Sequence, residues 1–316
     1  MEKRILKVET ERYQKFPGWV MTLLACGMVE LFFIVGSLLA GLILGMGIVI
    51  SVLAKGSSDF VLEIQAISES IFVELGIFPF VVLVLFAWVK WFEKRPFTSL
   101  GFFKGQVAWQ LVKGWLLGTL LFAVTLGLSY LLGGLEFKSF DFSLKTLAYL
   151  LLIIPLWLVQ GGTEELLTRG WLLPIIAKRT NLIIAITVSS SLFGIMHLGN
   201  DNVTFFSVLS IIMVGIFLAL YMLKTDNIWG VAGIHGAWNF TQGNIFGISV
   251  SGTQAGPSLM HFGQKMGAPD WISGGAFGTE GSLLASLVLL VGSIYLAWQL
   301  SQENKTSNFE ISLENS

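Results

Sequence analysis

The chain has 316 residues, of which 54% are hydrophobic and 12% are charged, whereas about 25% of residues are charged in an ordinary soluble domain. The mean hydropathy of +0.76 largely excludes a soluble enzyme, because so much apolar surface requires an apolar solvent, the lipid bilayer. The formal net charge of -1 provides no basic field, so nucleic acid is not an expected partner.

A spanning helix needs about 20 mostly apolar residues, and this criterion predicts an all-α, polytopic integral membrane protein with about eight transmembrane helices. The first span is overlong, must partly tilt or protrude, and contains Glu30, to which the sequence assigns no role. The single cysteine, Cys26, excludes an intrachain disulfide. The predicted spans are Trp19 to Leu53, Ile71 to Trp91, Val107 to Leu132, Leu144 to Gln160, Leu182 to His197, Phe205 to Leu223, Ile228 to Ile248 and Gly281 to Leu300.

The Lys and Arg residues predict the orientation, because positive residues favour the cytoplasmic side of a membrane. With the N-terminus inside, fourteen of the 19 fall in inside segments, four fall in outside segments, and Lys113 is unassigned. Both termini are therefore predicted to be cytoplasmic. The Gly-rich loop from Ser249 to Glu280 is expected to be irregular and interfacial, with His261 as an ordinary loop residue. The polar tail from Ser301 to Ser316 is expected to be disordered.

The segment from Gln160 to Leu173 places Glu164, Glu165 and Arg169 at or near membrane depth. Ionisable groups there cost several kcal/mol unless they face a wet cavity or a partner. Glu165 and Arg169 are spaced i,i+4 on one helical face, which favours an ion pair, while Glu164 is turned about 100° away and is the freer carboxylate. One interpretation makes Glu164 a general base. The alternative is a structural ion pair at an interfacial helix end, with Glu164 merely solvated.

Two further polar pairs follow along the chain. Phe193 and His197 share a helical face, and this histidine can be a base partner, a metal ligand or an interfacial hydrogen-bonding group. His235 and Asn239 also share a face, which indicates a binding task more than packing, although both could satisfy neighbouring helices.

Together these residues are typical of a hydrolase. Glu164 can take a proton from water, His197 can orient the water or share the proton, and His235 with Asn239 can stabilise an oxyanion. The same set permits a catalytic zinc held by Glu164, His197 and His235 with water as the fourth ligand. The spacing leaves both chemistries open, so the cofactor is either none or zinc.

Three short motifs formed by these residues, in their order along the chain, resemble those of the CPBP family. These are intramembrane proteases named for CAAX-processing and bacteriocin-processing members, and the family is also called Abi. The resemblance covers roughly Leu144 to Gln242, and the segment Arg95 to Phe102 is also similar to one common in that family. It divides the chain into an N-terminal transmembrane region (1–143), a catalytic core (144–247) and a C-terminal part with the irregular loop, the last span and the tail (248–316). The motifs are Glu164-Glu165-x-x-x-Arg169, Phe193-x-x-x-His197 and His235-x-x-x-Asn239.

The resemblance implies an intramembrane endopeptidase in which Glu164 and His197 activate water, His235 and Asn239 stabilise the oxyanion, and Glu165 with Arg169 holds the helix geometry. Phe193 would be a structural residue near the site. Family members are often labelled metalloproteases, but a metal-free, glutamate-dependent mechanism is also implied, and we favour it slightly. The expected partners are a membrane-anchored protein or peptide substrate and the lipid bilayer.

Two other classes of protein compete with a protease. A non-catalytic membrane scaffold or immunity factor could use the same fold, and polar residues within spans also mark the ion paths of transporters. The protease interpretation places the site at membrane depth, toward the cytoplasmic side. The predicted span boundaries, however, put His197 at the outer end of its span, far from Glu164.

Overall fold

The computed structural model describes residues 3–8, 13–56 and 59–314, so Arg12, one of the basic residues counted for the orientation, lies outside the described ranges. Within them the chain folds almost entirely as helices, because its long apolar runs can satisfy backbone hydrogen bonds in a membrane only as helices. The helices are α1 (Gly18–Lys55), α2 (Phe60–Ser68), α3 (Ile71–Leu75), α4 (Phe78–Ala87), α5 (Val107–Leu131), α6 (Leu144–Glu165), α7 (Leu173–Arg179), α8 (Leu182–Met196), α9 (Phe205–Thr225), α10 (Trp229–Phe240), α11 (Asp270–Ser273) and α12 (Leu283–Glu314).

In the described part of the chain, 7 helical segments are long and apolar enough to cross a membrane. The prediction of an all-α, multi-pass membrane protein is therefore confirmed. The predicted span from Ile228 to Ile248 is not among the seven, because α10 with its π-helical extension Thr241–Ile245 is shorter than the others. Nearly every residue of α10 is buried in the bundle, so this helix contacts protein more than lipid.

Two predictions at the C-terminal part need correction. The prediction of a disordered tail from Ser301 is wrong, because α12 continues as a helix to Glu314. Glu303 in that extension accepts hydrogen bonds from Lys3 at 3.0 Å and Lys224 at 2.5 Å, which joins it to the helical bundle. The loop from Ser249 to Glu280 is partly regular, since strand β2 (Met260–Gln264) pairs antiparallel with β1 (Leu135–Phe140). His261 lies on β2 and contacts the Ser258 hydroxyl at 3.0 Å.

The bundle has two chemically different ends. At one end, here called the basic end, Arg179 at the end of α7 donates to the backbone carbonyls of Gln14 and Phe16 just before α1. Arg4 pairs there with Asp226 at 2.7 Å, directly after α9. At the opposite end, the hairpin end, β1 precedes the start of α6 and pairs with β2. The end of α1 and the start of α3 also lie there, because α1 runs away from the basic end.

Glycines allow α10 to lie against its two neighbours. A Cβ at Gly118 of α5 would collide with the backbone carbonyl of Ile234 in α10. On the other side, a Cβ at Gly161 of α6 would lie 2.7 Å from the backbone nitrogen of Gly236. Small residues at such positions let membrane helices approach closely. This packing holds the polar residues of α10 against α6.

We expect Gly118→Val to lower the free energy of unfolding in detergent by about 1–3 kcal/mol, because the larger side chain has no space beside α10. The matched control is Gly127→Val on the same helix, where a Cβ would meet nothing within 4 Å. Thermal unfolding of the two purified variants measures the difference. Equal unfolding temperatures would contradict the proposed role of the close contact.

Candidate active site

A single long helical segment carries the first motif. α6, the π-helical turn Leu166–Leu172 and α7 are continuous from Leu144 to Arg179, so the predicted span end at Gln160 is wrong. At about 1.5 Å per residue, Glu164 lies about 22 Å from the Arg179 end. α8 then returns from that same end, and His197 follows it at a similar distance. The hairpin therefore brings both residues to one depth, which removes the conflict between the motifs and the predicted boundaries.

Glu165 and Arg169 form a fully buried ion pair on this helix. The Nη1 atom of Arg169 donates to Oε1 of Glu165 at 3.1 Å and to the hydroxyl of Thr168 at 2.6 Å. The guanidinium also lies over the ring of Phe193, 4.6 Å from its centroid, a cation–π contact. A Cβ at Gly215 would lie 2.8 Å from Nη2 of Arg169. The pair thus links α6, α8 and α9 beside the site.

The imidazole of His235 lies between the two adjacent carboxylates. Its Nδ1 is 2.9 Å from Oε1 of Glu165, and its Nε2 is 3.5 Å from Oε2 of Glu164. One helical turn further, Asn239 donates from Nδ2 to Oε1 of Gln160 at 2.8 Å. Although Glu164 and Glu165 point in different directions, one ring from α10 reaches both. This arrangement depends on the close approach of α10 to Gly161.

Glu164 faces a cavity of about 440 Å³, within the range of about 300–1,000 Å³ typical of ligand sites. The residue is 8% exposed, and its Oε2 makes no hydrogen bond. His197, His235 and Asn239 line the same cavity. The structure therefore brings the Glu164 carboxylate, two imidazoles and a carboxamide to a common space.

The hydrogen bond of His197 defines which of its nitrogens can act as a base. Nδ1 lies 2.8 Å from the backbone carbonyl oxygen of Phe193. Because a carbonyl oxygen only accepts hydrogen bonds, Nδ1 carries a proton. In the neutral ring, Nε2 then has the free lone pair and can accept a proton from water.

The segment Arg95 to Phe102 supports the far side of the first motif. Arg95 is buried and pairs with Glu93 at 2.5 Å, and Oε1 of Glu93 accepts from the indole of Trp171 at 2.8 Å. Tyr13 donates to the same carboxylate. Burial and the neighbouring Glu93 charge raise the pKa of the Tyr13 hydroxyl, so this residue stays a neutral hydrogen-bond donor. The segment thereby fixes the π-helical turn that carries Arg169.

Sequence reasoning missed Glu280, which the structure places on the cavity wall. Its Oε1 accepts from the backbone N–H of Ser251 at 2.5 Å, and its Oε2 accepts from the indole of Trp238 at 3.2 Å. Burial raises the pKa of the Glu280 carboxyl, and the hydrogen bonds from Ser251 partly oppose this effect. Through these hydrogen bonds Glu280 connects the loop after α10 to Trp238, the residue before Asn239. The sequence also does not identify Gln160 and Gly215 as site residues, because neither belongs to a recognisable motif.

The predicted zinc ligands do not fit a metal centre as arranged. Among the residues that the structure describes, no group of three or more His, Cys, Asp or Glu side chains is placed to hold a metal ion. In the predicted set of Glu164, His197 and His235, the Nδ1 hydrogen bonds to Phe193 and Glu165 leave Nε2 of each ring available, as in many zinc-binding histidines. The placement of the three side chains is therefore what argues against a metal centre.

The fold and the cavity define a multi-pass helical membrane protein with a polar, hydrolase-like site inside the bundle. Residues 146–241 match the family model described as Type II CAAX prenyl endopeptidase Rce1-like. The match includes all seven motif positions and confirms the resemblance of this segment to the CPBP family. Comparison with curated proteins finds no match, and comparison with solved structures finds none.

Proposed function

We propose that this protein is an intramembrane endopeptidase that hydrolyses peptide bonds of membrane-associated substrates with water activated by glutamate and histidine. The observation that carries the proposal is the buried carboxylate of Glu164, whose Oε2 lacks a hydrogen bond and faces the shared cavity. A polar atom left without a partner costs free energy when it is buried. A bound water at this oxygen would satisfy it and would become the nucleophile.

Two bases are available for the water. Glu164 takes the proton as the water attacks the scissile carbonyl carbon, in the manner of a general base. His197 offers the free Nε2 lone pair and can orient the water or carry the proton onward to the leaving amine. The carboxylate and the imidazole come from different helical segments, so the packing of α8 against α7 and the π-helical turn sets their separation.

The charge that develops on the substrate oxygen needs hydrogen-bond donors. Asn239 uses one N–H of its amide for Gln160, and its second N–H is free to donate. His235, with Nδ1 donating to Glu165, can donate from Nε2 when the ring carries its second proton. Glu165 and Arg169 do not touch the substrate in this scheme and act as positioning residues for His235.

Cleavage of membrane-anchored peptides by the purified protein in liposomes tests this function, with the products identified by mass spectrometry. Cleavage that persists in a sample shown to be free of metal would support activation by Glu164. Activity that is lost on chelation and restored by zinc would overturn the metal-free mechanism.

We expect Asn239→Ala to lower kcat by about 10²–10³-fold with a small change in KM, because an oxyanion donor acts mainly in the transition state. The matched control is Gln160→Met, which removes the same Gln160 to Asn239 hydrogen bond but leaves the amide donor in place. Steady-state kinetics on one peptide distinguishes the two. An equal loss in both variants would mean that Asn239 only packs against α6.

A further inference from the structure

The cavity extends from the buried site toward the hairpin end of the bundle. Glu74, Gly199 and Asp201 line it and are exposed. Neighbouring contacts place this rim beside the loop after α10. The hydroxyl of Thr253 lies 3.5 Å from Oε1 of Glu74, and Asn200 donates to the backbone carbonyl of Ser251 at 3.0 Å. On the basic-end side of the site, by contrast, Leu172, Trp171 and the ion pair of Glu165 with Arg169 are fully buried. The site is therefore reached from the hairpin end.

The hairpin end lies opposite the basic end, where most Lys and Arg residues are found. Positive residues near the ends of spans favour the cytoplasmic side. With the orientation that the basic residues predict, the rim of the cavity faces the non-cytoplasmic side. Glu164 itself is slightly nearer to the basic end of its helix than to the hairpin end. The side of access is nevertheless determined by where the cavity opens.

Apart from two histidines, the ionisable side chains that line the cavity are acidic. Of the described residues that line it, none is Lys or Arg. Glu74 and Asp201 lie at the rim, and Glu30 lies on α1 within its membrane span. Glu164 lies at the site with a buried oxygen that makes no hydrogen bond, and Glu280 lies on the cavity wall. A carboxylate inside a span costs several kcal/mol unless a cavity or a partner offsets the cost.

We propose that the cavity receives a peptide segment that carries a basic side chain and is presented on the non-cytoplasmic side of the membrane. This inference rests on the proposed function. Glu74 and Asp201 attract the basic group at the rim, and Glu30 receives it when the segment lies across Glu164. The acidic lining repels a substrate whose C-terminal carboxylate must enter. This assigns a substrate class different from that of a cytoplasmic C-terminal prenyl motif.

The first experiment determines the exposed side of the rim. In a Cys26→Ala background, Gln254→Cys marks the hairpin end and Lys178→Cys marks the basic end, and both positions are exposed. A membrane-impermeant maleimide on intact cells is expected to label the variant at position 254 and not the one at 178, and both are expected to react after lysis. Labelling at 178 alone in intact cells would overturn the proposed side of access.

The second experiment measures charge selection by binding, so that it does not depend on cleavage. Three acetylated and amidated fluorescent peptides, otherwise uncharged, carry Lys, Gln or Glu at one position and are titrated onto the Glu164→Gln variant in liposomes. We expect the Lys peptide to bind about tenfold more tightly than the Gln peptide, and the Glu peptide to bind most weakly. Equal affinities would overturn the proposed charge selection.

Variants added to the Glu164→Gln background locate the selectivity. Glu30→Gln and Glu74→Gln are each expected to reduce the preference for Lys over Gln about threefold or more. Glu69→Gln is the matched control, since Glu69 is an exposed carboxylate near the same end that does not line the cavity. If the control loses the preference for Lys equally, the preference arises from surface charge and the proposal is overturned. Charge-selective binding without any cleavage of the Lys peptide would instead reject the proposed protease function while leaving this inference intact.

Discussion

Replacing Glu164 with glutamine is expected to reduce cleavage of membrane-anchored peptides by about 10²–10⁴-fold, the usual contribution of a general base. Glutamine keeps the size of the side chain and a carbonyl oxygen toward the cavity, but it cannot take a proton from water. Because Glu164 is partnered only by His235 at 3.5 Å, the fold should be unaffected. Initial rates, together with the unfolding temperature of each variant, measure both effects.

The controls for Glu164→Gln separate three explanations. Glu69→Gln removes an exposed carboxylate outside the cavity and should leave the rate unchanged. Chelation with a parallel metal assay tests the zinc alternative. If Glu164→Gln cleaves as fast as the wild type, the proposed mechanism is wrong. If no peptide is cut and the variant also keeps the cellular phenotype, a non-catalytic scaffold explains the chain better than a protease.

The membrane class and most of the spans could be predicted from the sequence because the signal is local. A run of about 20 apolar residues becomes a spanning helix wherever it lies. The motif residues were also identifiable, since ionisable groups within an apolar segment are costly unless they have a partner or a function. The division into three regions and the cytoplasmic position of the termini stay predictions.

The depth of the site could not be predicted because the end of an apolar run is not always the end of a helix. The sequence from Gln160 to Arg169 is polar, so it was interpreted as the end of a span. In the structure the helix continues, because Asn239 and His235 satisfy Gln160 and Glu165 from α10. Those partners lie 79 and 70 residues away in the sequence, and no local pattern indicates them.

Glu280 illustrates a second limit of sequence reasoning. It lies in a Gly-rich loop with no helical periodicity, and its partners Ser251 and Trp238 become neighbours only when the loop folds back over α10. The opening of the cavity at the hairpin end depends on the same loop. The cytoplasmic placement of the site rests on the position of Glu164 alone and stays a prediction, and the direction in which the cavity opens depends on this loop.

Arg169→Met is expected to destabilise the protein by about 3–5 kcal/mol, the cost of leaving a buried charge without its partner. Arg169 is 0% exposed, and its Nη1 lies 3.1 Å from Oε1 of Glu165. Methionine fills much of the volume but leaves the Glu165 carboxylate uncompensated by a permanent cation. The variant should also lose the contact between the guanidinium and the ring of Phe193. Thermal unfolding in detergent measures the effect.

The double variant Glu165→Gln with Arg169→Met tests whether the loss comes from charge rather than volume. It removes both members of the pair, and the glutamine oxygen can still accept from Nδ1 of His235, so stability should recover by more than half of the loss. Activity should recover less, because a neutral glutamine no longer stabilises the doubly protonated ring that donates to the oxyanion. If the double variant is no more stable than Arg169→Met, packing of the guanidinium against Phe193 and Gly215 explains its burial. In that case the ion pair would position His235 without stabilising the fold.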